Sequence, residues 1–350
     1  MKKIAVIGAG STGWSVAAEL SMRGYEVWLC DIFGKEEYSH YEVAVSLGGS
    51  ITGNTVIRAV TTDAEAALKG AGQVICCTIS NADEQVAEYI APFLEPGSAV
   101  LLSAGNLGAF VYRRTFERCG RRDVTVGETS GNLFSCRRTG EAEVFFGGAY
   151  DVKNVAAFPA RDTAGLIEAF RGIYELRAVD CILEAAFNGP NLLSHISLIV
   201  VNAGAIESCQ GTYYSFKQAI CPSTIAIADR LWEEKKAVMD ALRFPCGPSP
   251  SANFRKYADP SIHTFDNFKA LSGPNSMQER HISEDVPIIG CLFLSVAEAL
   301  GVKVPLYRAL VTVASAINQT DYYREGRTLE RLGLGGLKGT QIAEYFMTAE

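Results

Sequence analysis

Residues 278 to 287 read QERHISEDVP and crowd Arg280, His281, Glu284 and Asp285 into little more than one helical turn. An arginine can clamp a carboxylate through two parallel hydrogen bonds, an imidazole can move a proton near neutral pH, and a carboxylate can fix the tautomer of an imidazole. The same segment also reads as a solvated helix start: Ser283 can cap it, Glu284 and Asp285 suit the positive end of its dipole, and Pro287 is tolerated in a first turn. Taken alone it leaves both readings open.

A second polar set interrupts an apolar run. PNLLSHISLIVVNAGAIESC, with Pro190 placed for a first turn, is apolar nearly all round and should form a buried helix. Helical spacing puts Asn191, His195 and Asn202 on one stripe of it. Buried polar groups need partners, either in another domain or in a cleft that holds a ligand. A single histidine on such a helix is also a common core residue, so the stripe raises the functional reading without deciding it.

The N-terminus carries the most specific motif. KKIAVIG has strand character, GAGSTG follows without a gap, WSVAAELSMRG has helical spacing, and YEVWLCD returns to strand. Gly8, Gly10 and Gly13 match GxGxxG, in which the first glycine permits the tight turn, the second lets backbone approach a pyrophosphate, and the third lets helix pack on strand. Gly8, Ala9, Gly10, Ser11, Thr12 and Gly13 are therefore the expected phosphate-binding turn of a dinucleotide site. Asp31 ends the second strand, where a carboxylate accepts hydrogen bonds from ribose hydroxyls, and no arginine follows closely to receive a 2′-phosphate. NAD(H) is expected in preference to NADP(H). Thr78, with Ser80 and Asn81, ends a later strand and is a candidate for the nicotinamide side, although polar strand ends are common.

Two more units, GQVICCTIS with DEQVAEYIAPFL and GSAVLLSAG with GAFVYRRTFERC, predict a doubly wound parallel sheet with ligands at the carboxyl ends of its strands. DVTVGET, EVFFGGAYD and KNVAAFPA read as short strands that finish it. After FNGPN the chain turns to helical runs, so the expected architecture is a Rossmann-type α/β dinucleotide-binding domain over residues 1–187 and an all-α domain over 188–350. In the second, FKQAICPSTIAIADRLWEEKKAVMDALRF reads as a helix with Ser223 or Thr224 near its start and WEEKK on a solvated face. FPCGPSPSANFRKYADPSIHTF reads as a long loop, and QERHISEDVP opens the next helix.

At 350 residues the chain is comfortable for two domains, and 48% hydrophobic with 20% charged residues is the composition of a soluble globular protein. A net charge of −7 and a pI near 5.3, with no Lys/Arg tract longer than a pair, argue against nucleic acid or an anionic membrane as principal partner. The apolar start MKKIAVIGAG is broken at once by glycines, and no window approaches the ~20 apolar residues of a membrane span. A cytoplasmic location is expected. The ten cysteines show no CxxC pair or zinc-site spacing and read as reduced core residues, with no metal expected. The oligomeric state is open, a homodimer being the candidate.

In these motifs the chain resembles the octopine/nopaline (opine) dehydrogenase family over nearly its full length. The resemblance rests on the Rossmann order, on the succession Glu128, Thr129, Cys136, Arg137, Phe158, Pro159, Ala160, and on NLLSH, NAGAIE, a tyrosine-containing turn, GPNSMQERHISEDVP and the closing GVKVPLYRALVTVASAINQTDYYREGRTLERLGL. It implies NAD(P)H-dependent reductive condensation of an amino acid with a 2-oxo acid such as pyruvate, through an imine, to an N-(carboxyalkyl)amino acid. It further implies His195 as the proton-moving group, Asp285 as the carboxylate that orients it, and Arg280 and Asn191 as substrate-binding residues. On a continuous helix Arg280 and Asp285 would point about 140° apart, so a loop before Ser283 is expected to let both face one cleft. Ile196 stands where members often have Pro, His281 replaces a commoner Tyr, and Trp14 is bulky beside the glycine turn; these departures bear on substrate identity rather than reaction type. Two alternatives remain: a 2-oxo acid reductase of the ketopantoate-reductase type, whose lysine early in the helical domain is His195 here, and an NAD(H)-binding sensor without turnover.

Overall fold

Strand β1 (Lys3–Ile7) is buried from Ile4 onward, as a strand inside a parallel sheet covered on both faces must be. The computed structural model describes residues 2–34, 40–149 and 151–349, which fall into two compact units, Met1–Ala185 and Ala186–Ala349. In the first unit β1 is joined by β2 (Glu26–Cys30), β3 (His40–Gly49), β4 (Gly53–Thr61), β5 (Gln73–Cys76), β6 (Ala99–Leu102), β7 (Thr125–Thr129), β8 (Phe134–Gly140), β9 (Glu143–Ala149), β10 (Lys153–Ala157) and β11 (Leu176–Ala178). They make one sheet in the order β11-β10-β7-β6-β5-β1-β2-β4-β3-β9-β8.

The run from β7 through β6, β5, β1 and β2 to β4 is parallel, as the alternating strand and helix signals require. Beyond it the sheet is mixed. The hairpin β3–β4 and the pair β8–β9 are antiparallel, and β10 runs antiparallel to β7. The β3–β4 hairpin was not among the expected elements, and Tyr150, near the end of the expected strand EVFFGGAYD, lies outside the described residues. Helix α1 (Ser11–Met22) buries Trp14, Val16 and Leu20 in the same core as Phe134 and Phe146 of β8 and β9. The bulky Trp14 is thereby accounted for: it is core, with the Arg138 guanidinium 4.5 Å from its ring centroid.

The second unit is helical, and three local readings change there. The expected helix from Pro190 to Cys209 breaks into Asn191–Leu198, a 3-10 turn Val200–Asn202, and Ala203–Ser208. Its middle is the β-branched run Ile199-Val200-Val201, which crowds a helical turn, and the Asn202 side chain donates to the Leu198 carbonyl at 2.8 Å instead of joining a stripe. By length and composition the stretch Ile182–Ser208 is apolar enough to cross a membrane, with mean hydropathy 1.3, which corrects the reading that no window approaches this. Of its 18-residue apolar window 61% is buried within the fold, as apolar segments of a globular core are.

The WEEKK segment is not simply a solvated face. Glu234 and Lys235 of helix Pro222–Leu242 are buried. The Glu234 carboxylate accepts from the Leu306 and Tyr307 amides at 2.8 and 2.9 Å, satisfying the start of helix Pro305–Ile317, and Lys235 Nζ donates to Asn188 Oδ1 at 3.0 Å. The expected long loop contains helices Ser251–Ala258 and Asp266–Lys269, held by aromatic contacts of Phe216, Tyr257 and Phe268.

Candidate active site

In the first unit the three motif glycines answer different demands. Gly8 has φ +98, and a Cβ there would lie 2.9 Å from Thr78 Cγ2. A Cβ on Gly13 would lie 1.8 Å from the Gly8 carbonyl oxygen. Both are imposed by the protein's own packing. A Cβ on Gly10 would meet nothing within 4 Å, so the protein's own packing does not require a glycine there. Gly10 is the N-cap of α1 and no side chain caps it, which leaves the amides of the first turn, Ser11 to Gly13, to meet an anion. The residues present therefore fit the pyrophosphate of a dinucleotide. Ala9 lies within the same turn.

Asp31 follows β2, its amide bonded to the Thr61 carbonyl at 2.9 Å and its Oδ1 accepting from the Phe33 amide at 3.3 Å. Thr78 follows β5 and touches Gly8. One feature of this edge was missed: Ala104, Asn106 and Leu107, after β6, all have left-handed φ (57, 52 and 69). The loop is held by the buried Glu128, which accepts from the Leu107 and Ala109 amides at 2.8 and 2.9 Å, and by Thr129 Oγ1, which accepts from the Ala104 amide at 3.2 Å. The Glu128-Thr129 pair was visible in the sequence, but its task of stabilising a strained loop was not.

In the second unit, His195 and Asp285, ninety residues apart, meet with Nδ1 and Oδ2 at 2.5 Å, both side chains buried. Asn191, one turn before His195, donates from Nδ2 to the other carboxylate oxygen at 3.3 Å. Asn191 therefore holds Asp285. The His281 ring lies edge to face on that of His195, centroids 4.7 Å apart.

The expected loop before Ser283 is absent. Residues Arg280–Ser283 are helical, Ser283 is inside rather than at the cap, and Glu279 is the N-cap. The register shifts instead through wide turns: the Arg280 carbonyl accepts from the Glu284 and Asp285 amides at 3.0 and 3.2 Å, and Val286–Gly290 is a π-helix. A turn closed over five residues departs from the regular helical register. Arg280 itself is 40% exposed, its Nη1 3.9 Å from Glu284 Oε2, a separation too long for a strong pair.

Residues 178–318 match a family model described as NAD/NADP octopine/nopaline dehydrogenase, alpha-helical domain, and residues 4–152 match one described as ketopantoate reductase PanE/ApbA. An opine dehydrogenase of Arthrobacter sp. (strain 1C) is 27% identical over 97% of this chain and 98% of its own length. Over its helical half the chain is thus similar to the octopine/nopaline dehydrogenase family. Members of that family are NAD(P)-dependent oxidoreductases of the CH–NH class. Vitopine synthase of Allorhizobium ampelinum is 24% identical over 98% of this chain and 99% of its own length. Among solved structures, octopine dehydrogenase with NADH and L-arginine has a TM-score of 0.70 at 17% identity, covering 100% of this chain and 98% of that one. Yersinopine dehydrogenase with NADP+ bound has a TM-score of 0.64 at 14% identity, covering 99% and 98%.

Proposed function

We propose that the protein condenses an amino acid with a 2-oxo acid, reducing the imine to a secondary amine at the expense of NADH. One ammonium form of the amino acid, one oxo acid, NADH and one proton give one protonated secondary amine, one water and NAD+. The observation that carries the proposal is the buried His195–Asp285 contact at 2.5 Å. With Nδ1 committed to the carboxylate, Nε2 is the nitrogen that exchanges protons with substrate. His195 takes a proton from the substrate ammonium so that nitrogen can attack the carbonyl carbon, and returns it to the oxygen that leaves as water. Asp285 stabilises the imidazolium between those steps, and Asn191 holds Asp285. Arg280, whose nearest carboxylate is 3.9 Å away, clamps the oxo acid's carboxylate. The bound cofactor supplies the hydride.

We take NAD(H) as the cofactor, because the Asp31 carboxylate would repel a 2′-phosphate. A cytoplasmic location suits ten free thiols. The testing experiment is a matrix of amino acids against pyruvate, 2-oxoglutarate and glyoxylate, followed by NADH absorbance. Oxidation that requires both substrates supports the proposal. Oxidation with the oxo acid alone would make the protein a ketopantoate-type reductase, and tight NADH binding without turnover would make it a sensor.

A further inference from the structure

His281 has no part in the chemistry above, yet it is buried, 7% exposed, against the histidine that does. Its ring plane is inclined 69° to that of His195 with centroids 4.7 Å apart. His281 stands four residues before Asp285 in a segment stiffened by the bonds from the Glu284 and Asp285 amides to the Arg280 carbonyl. One helical turn therefore delivers two contacts to one imidazole, a hydrogen bond at Nδ1 and a second ring packed against it at a steep angle.

We propose that His281 is a positioning residue that sets the plane of the His195 ring, an inference that rests on the proton-moving role given to His195 above. The physical need is specific. The torsion that turns a histidine ring about its Cβ–Cγ bond is broad, and one hydrogen bond to Nδ1 leaves freedom of tilt. The opposite nitrogen, Nε2, moves farthest when the ring tilts, and it is the atom that must meet the substrate's proton. A second ring packed edge to face narrows that tilt, and it does so by shape, so an aromatic hydrocarbon in its place should serve.

The test uses the full chain with His281→Ala, His281→Phe and His195→Asn. It measures kcat and KM for pyruvate with the amino acid giving fastest NADH oxidation, NADH affinity, melting temperature, and the far-downfield proton resonance of the His195–Asp285 hydrogen bond. His281→Ala is expected to lower kcat per folded molecule by about 10–10², with KM and NADH affinity little changed and the resonance broadened or lost. His281→Phe should recover most of the loss and restore the resonance. If His281→Ala costs only melting temperature, with turnover per folded molecule and the resonance intact, His281 is packing and the inference is overturned. It is overturned equally if Phe is as damaging as Ala, since His281 would then act through its nitrogens. His195→Asn separates the two levels: near-native turnover there removes the proposed function together with this inference, whereas an inactive His195→Asn beside a fully active His281→Ala removes this inference alone.

Discussion

Asp285→Asn keeps the shape of the side chain and changes what it can accept. The carboxylate takes two donors, His195 Nδ1 on Oδ2 at 2.5 Å and Asn191 Nδ2 on Oδ1 at 3.3 Å. An amide has one acceptor oxygen. If that oxygen stays on His195, the new amide nitrogen faces the amide nitrogen of Asn191, donor against donor. If it turns to Asn191, the nitrogen donates to His195 Nδ1 and drives the ring proton to Nε2, the tautomer that cannot accept from substrate there. Either way no charge remains to stabilise the imidazolium. A hydrogen bond to a charged group is worth about 1.5–3 kcal/mol, which at about 1.4 kcal/mol per decade lowers turnover roughly 10–10². The wrong tautomer carries the loss toward the ~10²–10⁴ of general acid–base catalysis. Turnover from NADH absorbance, normalised to folded protein, should fall across that range while NADH affinity holds. Adding Asn191→Ala to the Asp285→Asn background removes the donor clash and should return part of the rate. The double variant His195→Asn/Asp285→Asn should be little worse than His195→Asn alone, because the pair acts as a unit. A folded Asp285→Asn with near-native turnover would refute the catalytic assignment.

Arg280→Ala should lower kcat/KM for the oxo acid about 10–10² and spare NADH binding, with Lys restoring only part because it lacks the planar fork; lost NADH affinity with normal oxo acid use would disprove the clamp. NADH should outperform NADPH, and Asp31→Ala should narrow the gap; equal efficiency with both cofactors in the native protein would remove Asp31 from this role. Gly13→Ala should fail to fold stably, because its Cβ would lie 1.8 Å from a carbonyl oxygen, whereas Gly10→Ala should melt normally and bind NADH more weakly; normal NADH affinity in Gly10→Ala would contradict the cradle. Burial pushes the Lys153 ammonium from 10.5 down to about 7, so between those values the unfolded chain holds a proton that the native chain has released, and stability rises with pH. The melting temperature of Lys153→Met relative to the native chain should therefore be highest near pH 6 and fall steadily toward pH 10; a gap that does not vary with pH would exclude the linkage.

Legibility in the sequence followed the range of the physical cause. The glycine turn was readable because each glycine is fixed by neighbours close in sequence or by a recurring strand, turn and helix context. Asn191 and His195 were placed on one stripe because four residues make about one turn, and both do reach the same carboxylate. Asn202 left the stripe because a β-branched run intervenes, a local fact that apolar periodicity ignores. The pairing of His195 with Asp285 spans ninety residues, and no periodicity reports on it; only the family resemblance did. Glu234 and Lys235 looked solvated because their partners, the amides at 306 and 307 and Asn188, are remote.

Pro287 does sit in a first turn, that of the wide helical element Val286–Gly290, whose geometry no local rule foretells. A proline lacks the amide proton and its ring collides with the carbonyl four residues back, so a proline after a polar run was read as the first turn of a new helix. The short helix Arg280–Ser283 precedes it, and the carbonyl four residues before Pro287 is that of Ser283. Widening the turn relieves the collision: the Gly290 amide reaches the Asp285 carbonyl at 2.9 Å, and the Asp285 amide reaches back to Arg280. That widening changes which side chains share a face. Asp285 lies on His195, and His281, one turn before it, reaches the same imidazole. The proline that seemed to mark a boundary is thus the residue that phases the site, so Pro287→Ala, free to form a regular helix, should shift Asp285 away from His195. Turnover should fall even if melting temperature rises. A Pro287→Ala variant with native turnover would show that the wide turn has another cause.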